Sequence, residues 1–231
     1  MIAVMSQDIC NQFQNATNIK AYPLKPYNCL ATPVSSHCDM LLCKIDNIVF
    51  CYEEYYKENL TTFQAIEKQG YKINFVSSKC KEKYPNDIAL NVLVVGKYIF
   101  CKTSNTAKEI LEYAKRNGYK IVNVNQGYSA CSCLTLNDST VITGDKGMQN
   151  VLEDNNISVV YFDNSQIVLN GYNCGFIGGA GEVKNNKIYF FGPKTALEDN
   201  LEIKSIISRE NFEIISILSD RVYDFGGLKL F

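Results

Sequence analysis

Two segments of this chain repeat one another, and the repeat restricts the possible folds more than any other feature. Ala65–Val76 reads AIEKQGYKINFV and Tyr113–Val124 reads YAKRNGYKIVNV. In each, a helical run stops at a glycine, Gly70 or Gly118, and Tyr-Lys-Ile follows at once. A glycine there supplies a left-handed helix cap, so each segment reads as helix, cap and strand. Upstream of each lies a pair of apolar runs around a short polar or glycine turn, Asp39–Cys51 and Asp87–Cys101, both ending in Phe-Cys. The repeating unit is therefore hairpin, helix, strand.

Two looser copies follow. Gly127–Asn164 gives strand SACSCLTL, a turn at Asn137-Asp138, strand TVITG, helix GMQNVLEDN and strand ISVVYFD. Gly171–Leu218 gives a glycine-rich strand, the turn Lys184-Asn185-Asn186, strand KIYFF, a helix around Ala196–Arg209 and strand FEIISIL. Val222–Phe231 supplies the first strand of a fifth copy. The N-terminus completes it, with a helix near Met5–Phe13 and a strand near Tyr27–Val34. Joining both termini in one unit leaves few exposed sheet edges. The expectation is a single α/β domain over residues 1–231, a five-fold propeller of strand-strand-helix-strand repeats around a central channel. Tandem units laid in an open doubly wound sheet are the alternative.

Composition narrows the function classes. Hydrophobic residues at 46% against 20% charged indicate a chain that folds around a core. The 23 basic and 24 acidic residues are scattered and leave a net charge of −1, which gives no reason to expect nucleic acid or an anionic membrane. The start, MIAVMSQDICNQFQ, lacks the pattern of a secretory signal, and no run approaches the ~20 apolar residues of a membrane span. The ten cysteines are irregularly spaced and mostly within strand-like runs, so they read as reduced and buried in a cytoplasmic protein.

His37-Cys38-Asp39-Met40-Leu41-Leu42 resembles the His-x-Asp segment of the pentein superfamily, whose members include arginine deiminases, agmatine deiminases and dimethylargininases. Gln126–Gly147 and Gly171–Val183 also resemble an uncharacterised bacterial family of that fold. The fold-level likeness spans nearly the whole chain. It implies repeats around an active-site channel and a small guanidinium-containing ligand, with no cofactor. By the same resemblance His37 matches a general acid/base and Asp39 a carboxylate that grips the guanidinium, a pairing suited to charge-assisted bidentate hydrogen bonds. The superfamily's nucleophilic cysteine lies near the C-terminus, yet Asp220–Phe231, DRVYDFGGLKLF, contains none, and Asp224 stands near that position.

His37 is the only histidine, so any imidazole chemistry falls on it or it is a locally bonded structural residue. As i and i+2 of a strand, His37 and Asp39 would share a face. Cys131 and Cys133 share one likewise, and counting back from the second strands sets Cys131 level with Asp39. Cys131 is then either the nucleophile or a buried strand cysteine. Cys51 and Cys101 hold matching positions that argue for packing, and Cys38 and Cys174 remain further thiols. Asp87 and Asp224, at the starts of the second and fifth units, either line the channel or are solvated turn carboxylates. One histidine and a Cys-x-Cys make no zinc pattern. The run Gly175–Gly181 lacks the ending of a P-loop and reads as a strand brought close to the channel. Three functions remain open: a hydrolase or transferase of a guanidino or amidino compound, a non-catalytic sensor of a small cation, and an interaction scaffold.

Overall fold

A computed structural model describes residues 1–231. In chain order the elements are β1 (Ala3–Ser6), α1 (Cys10–Thr17), β2 (Ala21–Leu24), α2 (Cys38–Leu41), β3 (Cys43–Ile45), β4 (Ile48–Tyr52), α3 (Glu53–Glu58), α4 (Leu60–Lys68) and β5 (Lys72–Val76). Then come β6 (Leu93–Val95), β7 (Tyr98–Cys101), α5 (Lys108–Arg116), β8 (Lys120–Asn123), β9 (Cys133–Asn137), β10 (Thr140–Thr143), α6 (Lys146–Asp154) and β11 (Ser158–Tyr161). The chain ends with β12 (Ile167–Val168), β13 (Gly181–Lys184), β14 (Lys187–Phe190), α7 (Thr195–Glu198), α8 (Leu201–Arg209), β15 (Glu213–Ser216), β16 (Val222–Tyr223) and β17 (Leu228–Leu230).

Five three-stranded sheets share one plan: β3-β4-β5, β6-β7-β8, β9-β10-β11, β13-β14-β15 and β17-β1-β2. In each, the first two strands are antiparallel and the third joins the second in parallel after a helix. A parallel return needs such a crossover. The sheets remain separate, and no ladder closes into a barrel; β12 and β16 form a further parallel pair. Both termini share one sheet, with Ala3 opposite Leu230 and Ile2 and Phe231 exchanging backbone hydrogen bonds of 2.9 and 3.0 Å.

Burial follows strand order. The middle strands β1, β4 and β10 are buried at every residue, and β7 and β14 at all but the first. They are covered by neighbours on both edges and by layers on both faces, so they read as continuous apolar runs. The third strands are mostly exposed or half-buried. Helices pack through short stripes, such as Ile110 and Ala114 of α5 or Met148 and Leu152 of α6. Full burial of such large apolar side chains is worth ~1.5–3 kcal/mol each.

The helix cap recurs in all five units. Gly70 and Gly118 have φ of +89° and +73°, and Asn18, Asn156 and Asn211 hold the same place with φ between 55° and 62°. Asparagine tolerates the left-handed region because its short amide bonds locally, so it replaces glycine there.

Several sequence-based boundaries shift. The N-terminal unit opens on β1, not on a helix from Met5, and Tyr27–Val34 is a turn with a 3-10 segment at Thr32–Val34. Pro26 and Pro33 withhold the N–H groups a strand there would need. The glycine-rich run is not a strand either: Ile177–Ala180 is a 3-10 turn and β13 starts only at Gly181. The helix of the fourth copy is broken into α7 and α8, where Asn200 caps the second piece by accepting from the N–H groups of Glu202 and Ile203. The first strands also start later than expected. Asp39 lies in α2, Asp87 in a turn before β6, and Cys131 in a turn before β9. All ten cysteines are unpaired, eight of them buried, and Cys51 and Cys101 sit fully enclosed at the ends of β4 and β7.

Candidate functional site

The loops that lead into the first strands bring four of the five nominated residues together. His37 is not on a strand. It is the N-cap of α2, and Asp39 lies in that helix's first turn, so a shared strand face does not relate them. What fixes them is the C-terminal loop: the Asp39 N–H donates to the carbonyl of Gly226 at 3.0 Å, and His37 Nδ1 stands 3.7 Å from Asp224 Oδ1. Both side chains are buried, at 4% exposure, and neither carboxylate oxygen of Asp39 has a hydrogen-bond partner.

Asp224 is set by backbone. Its Oδ2 accepts from the N–H of Phe176 and its Oδ1 from that of Gly226, both at 2.9 Å. A side chain at Gly179 would run into this carboxylate, so the glycine-rich turn makes room for Asp224. Burial is the largest influence on its pKa, raising it to about 6. The nearby charge of His37 and the two N–H donors lower it, while Asp39 adds to the rise.

Cys131 joins the cluster from the turn ahead of β9. Asn91 donates from Nδ2 to Cys131 Sγ at 2.9 Å and to the Asp39 carbonyl at 3.1 Å, and its Oδ1 accepts from the Ala130 N–H at 2.8 Å. Burial pushes the Cys131 thiol well above its usual value, and the charges of Asp39 and Asp224 push it further, against the Asn91 donor. The resting sulfur is a thiol, not a thiolate. Cys133, at the head of β9, is pushed up to about 12 by burial, and Cys38 is raised by the same cause. Cys174 is half-buried.

Asp87 occupies a neighbouring cluster. Its Oδ2 accepts from the Tyr128 hydroxyl at 2.7 Å, and burial raises its pKa against that bond. The neutral side chains of Tyr52 and Cys80 also lie near it, and Tyr128 has both Asp87 and Cys131 as neighbours. Asn91 and Tyr128 were not anticipated. Asn91 had a signal, a lone amide inside the apolar run Ile88–Val95.

Below Asp39 a cavity of ≈ 330 Å³ is lined by residues from β3, β6, β9 and β13 and by Gly227 and Lys229 at β17, the first strand of every sheet. Lys44, Glu182 and Lys229 face it, with Lys229 Nζ on Glu182 Oε2 at 2.8 Å. No group of three or more His, Cys, Asp or Glu is placed to hold a metal ion, and no helix is long and apolar enough to cross a membrane.

The model of a family of unknown function, DUF6873, matches residues 3–229. The chain belongs to this family. No curated protein matches the DUF6873 chain in sequence. Solved structures do match it in fold. A DDAH from Pseudomonas aeruginosa, complexed with citrulline, has a TM-score of 0.54 at 10% identity, over 95% of this chain and 82% of that one. The amidinotransferase SxtG from Microseira wollei gives 0.53 at 10%, over 92% and 75%. The N-terminal domain of ArgZ, a cyanobacterial arginine dihydrolase, gives 0.51 at 11%, over 92% and 80%. The DUF6873 chain therefore has the mixed α/β fold of the pentein superfamily.

Proposed function

We propose that this chain is a pentein-type hydrolase or transferase acting on a small guanidino or amidino compound in the cytoplasm. Residues 1–231 form one domain, a five-fold propeller around the cavity. Asp39 and Asp224 hold the ligand's cation, Cys131 attacks its central carbon, His37 moves protons, and Asp87 lines the approach.

The observation that carries this reading is the carboxylate of Asp39, buried with both oxygens unpartnered beside Asp224 and Cys131. A buried charge without a partner is costly, and a planar cation with several N–H donors removes that cost. The same cation offsets the two carboxylates that hold Cys131 protonated, so the thiolate forms when ligand is present. His37 takes the thiol proton as the C–S bond forms, and returns it to the leaving amine. Water or an acceptor amine then breaks the C–S bond. Turnover is tested on a panel of guanidines by assaying ammonia, urea and ureido products. No turnover at any pH, with His37→Ala indistinguishable from the parent, sinks the proposal.

The protonated state of Cys131 favours one second reading, a sensor that binds a small cation without transforming it. Thermal stabilisation by a guanidine recovered unchanged would select that reading.

A further inference from the structure

Two thiols that the proposed chemistry does not use lie side by side. Cys29 sits in a turn between β2 and α2, and Cys80 in the long loop between β5 and β6. They are 51 positions apart in the chain, yet Cys80 donates from Sγ to the Cys29 carbonyl at 3.7 Å. The two side chains are also direct neighbours of each other. Backbone hydrogen bonds fix both loops. Tyr27 donates to the Ser35 carbonyl at 2.8 Å and Leu30 to that of Tyr27 at 3.0 Å, while Lys81 donates to Asn86 at 3.3 Å. Aromatic rings flank the pair: Tyr27 stacks on Tyr52 with centroids 5.9 Å apart, and Cys80 is a neighbour of both phenols. The Tyr52 hydroxyl is buried there without a hydrogen-bond partner, and a thiol is only a weak donor. No strong polar bond therefore holds Cys80 against reaction.

We propose that Cys29 and Cys80 form a reversible disulfide when the protein meets a peroxide, a modification site separate from the candidate active site. Burial assigns the roles. Cys29 is half-buried and meets the oxidant first. Cys80 is buried, which pushes its thiol up to about 12, so it acts second and closes the bond. In the first step the Cys29 sulfur, having given up its proton, attacks one peroxide oxygen. The O–O bond breaks, leaving a sulfenic acid on Cys29 and one water. In the second step the Cys80 sulfur attacks the Cys29 sulfur, the S–O bond breaks, and hydroxide leaves as water with the Cys80 proton. Two thiols are oxidised to one disulfide, and the peroxide is reduced to two waters.

The bond ties the loop that ends at His37 to the loop that carries Asp87 and Asn91. Asn91 donates to the Asp39 carbonyl and to Cys131, so the link restrains two sides of the candidate site without altering its side chains. It forms whether or not the chain turns over a guanidine.

The test treats the reduced whole chain with hydrogen peroxide, raised until Cys174 is oxidised, and maps its peptides without reductant. Cys174 is half-buried like Cys29 and serves as the comparison. A Cys29–Cys80 cross-linked peptide is expected, lighter by two hydrogens than its separate parts and split again by dithiothreitol. Cys80→Ser should lose the link and leave Cys29 as a sulfenic acid that dimedone traps, about tenfold or more above the parent. Cys29→Ser should lose the link as well, and Cys174→Ser should keep it. Absence of the link once Cys174 is oxidised overturns the proposal. So does pairing of Cys29 with any other cysteine, or equal dimedone labelling of Cys29 in the parent and in Cys80→Ser.

Discussion

Asp224 should make this protein less stable as pH rises from 4 to 6. Its carboxyl moves from 3.8 to about 6 on folding, chiefly through burial. Between those values the native state keeps a proton that the unfolded chain has released, so stability falls with pH across that window. The full difference corresponds to about 3 kcal/mol, present below pH 4 and lost once pH passes the folded value. Asp224→Asn removes the titration while keeping the shape. The amide can satisfy only one of the two backbone donors, from Phe176 and Gly226, which costs about 1–3 kcal/mol at every pH. Urea unfolding of parent and variant at closely spaced pH values separates the constant offset from the slope. The expected result is a stability gap, parent minus variant, that shrinks by about 3 kcal/mol from pH 4 to pH 7. A gap that stays constant, or widens with pH, would refute the claim that Asp224 is buried at the expense of its charge.

Three further changes probe the parts around it. Asn91→Ala leaves the Ala130 N–H and Cys131 Sγ without their partner and should cost about 2–3 kcal/mol in denaturant unfolding, with faster alkylation of Cys131 as its turn loosens. Gly179→Ala drives a methyl group into the Asp224 carboxylate and should lower the melting temperature by roughly 2–12 °C, about 1–3 kcal/mol of overpacking. Gly118→Asn should cost under about 1 kcal/mol, because asparagine fills the same cap in three other units, whereas Gly118→Val should cost clearly more; equal losses in urea unfolding would remove the cap argument.

The repeat was legible where local rules act alone. A glycine cap and a two-run hairpin are written in adjacent residues, so the sheets β3-β4-β5 and β6-β7-β8 could be drawn from Gly70, Gly118 and the Phe-Cys endings. Asn18, Asn156 and Asn211 carry the same cap in a less distinctive residue, which is why the other copies looked loose. The N-terminal unit was misplaced because AVMS at Ala3–Ser6 is short and apolar, and only pairing with β17 and β2 makes it a middle strand. That pairing joins opposite ends of the chain and leaves no local trace.

The candidate site was legible as residue types and not as geometry. His37, Asp39, Cys131 and Asp224 do meet, yet none of them lies on a strand, so register along the strands was the wrong reason for their meeting. They are held by the backbone donor of Gly226, two residues beyond Asp224, and by the Phe176 N–H and the amide of Asn91, which come from segments distant in sequence. This arrangement has a consequence for chemistry. A cysteine in the place of Asp224 would have two backbone N–H groups and His37 to stabilise its thiolate. An aspartate there instead takes those donors for itself and adds negative charge beside Cys131, which burial and Asp39 already hold protonated. Replacing Asp224 by Asn removes that charge and should ease deprotonation of Cys131. The check is the rate of iodoacetamide labelling of Cys131 against pH, whose midpoint should move down in the variant; an unmoved midpoint would mean that Asp224 does not restrain the thiol.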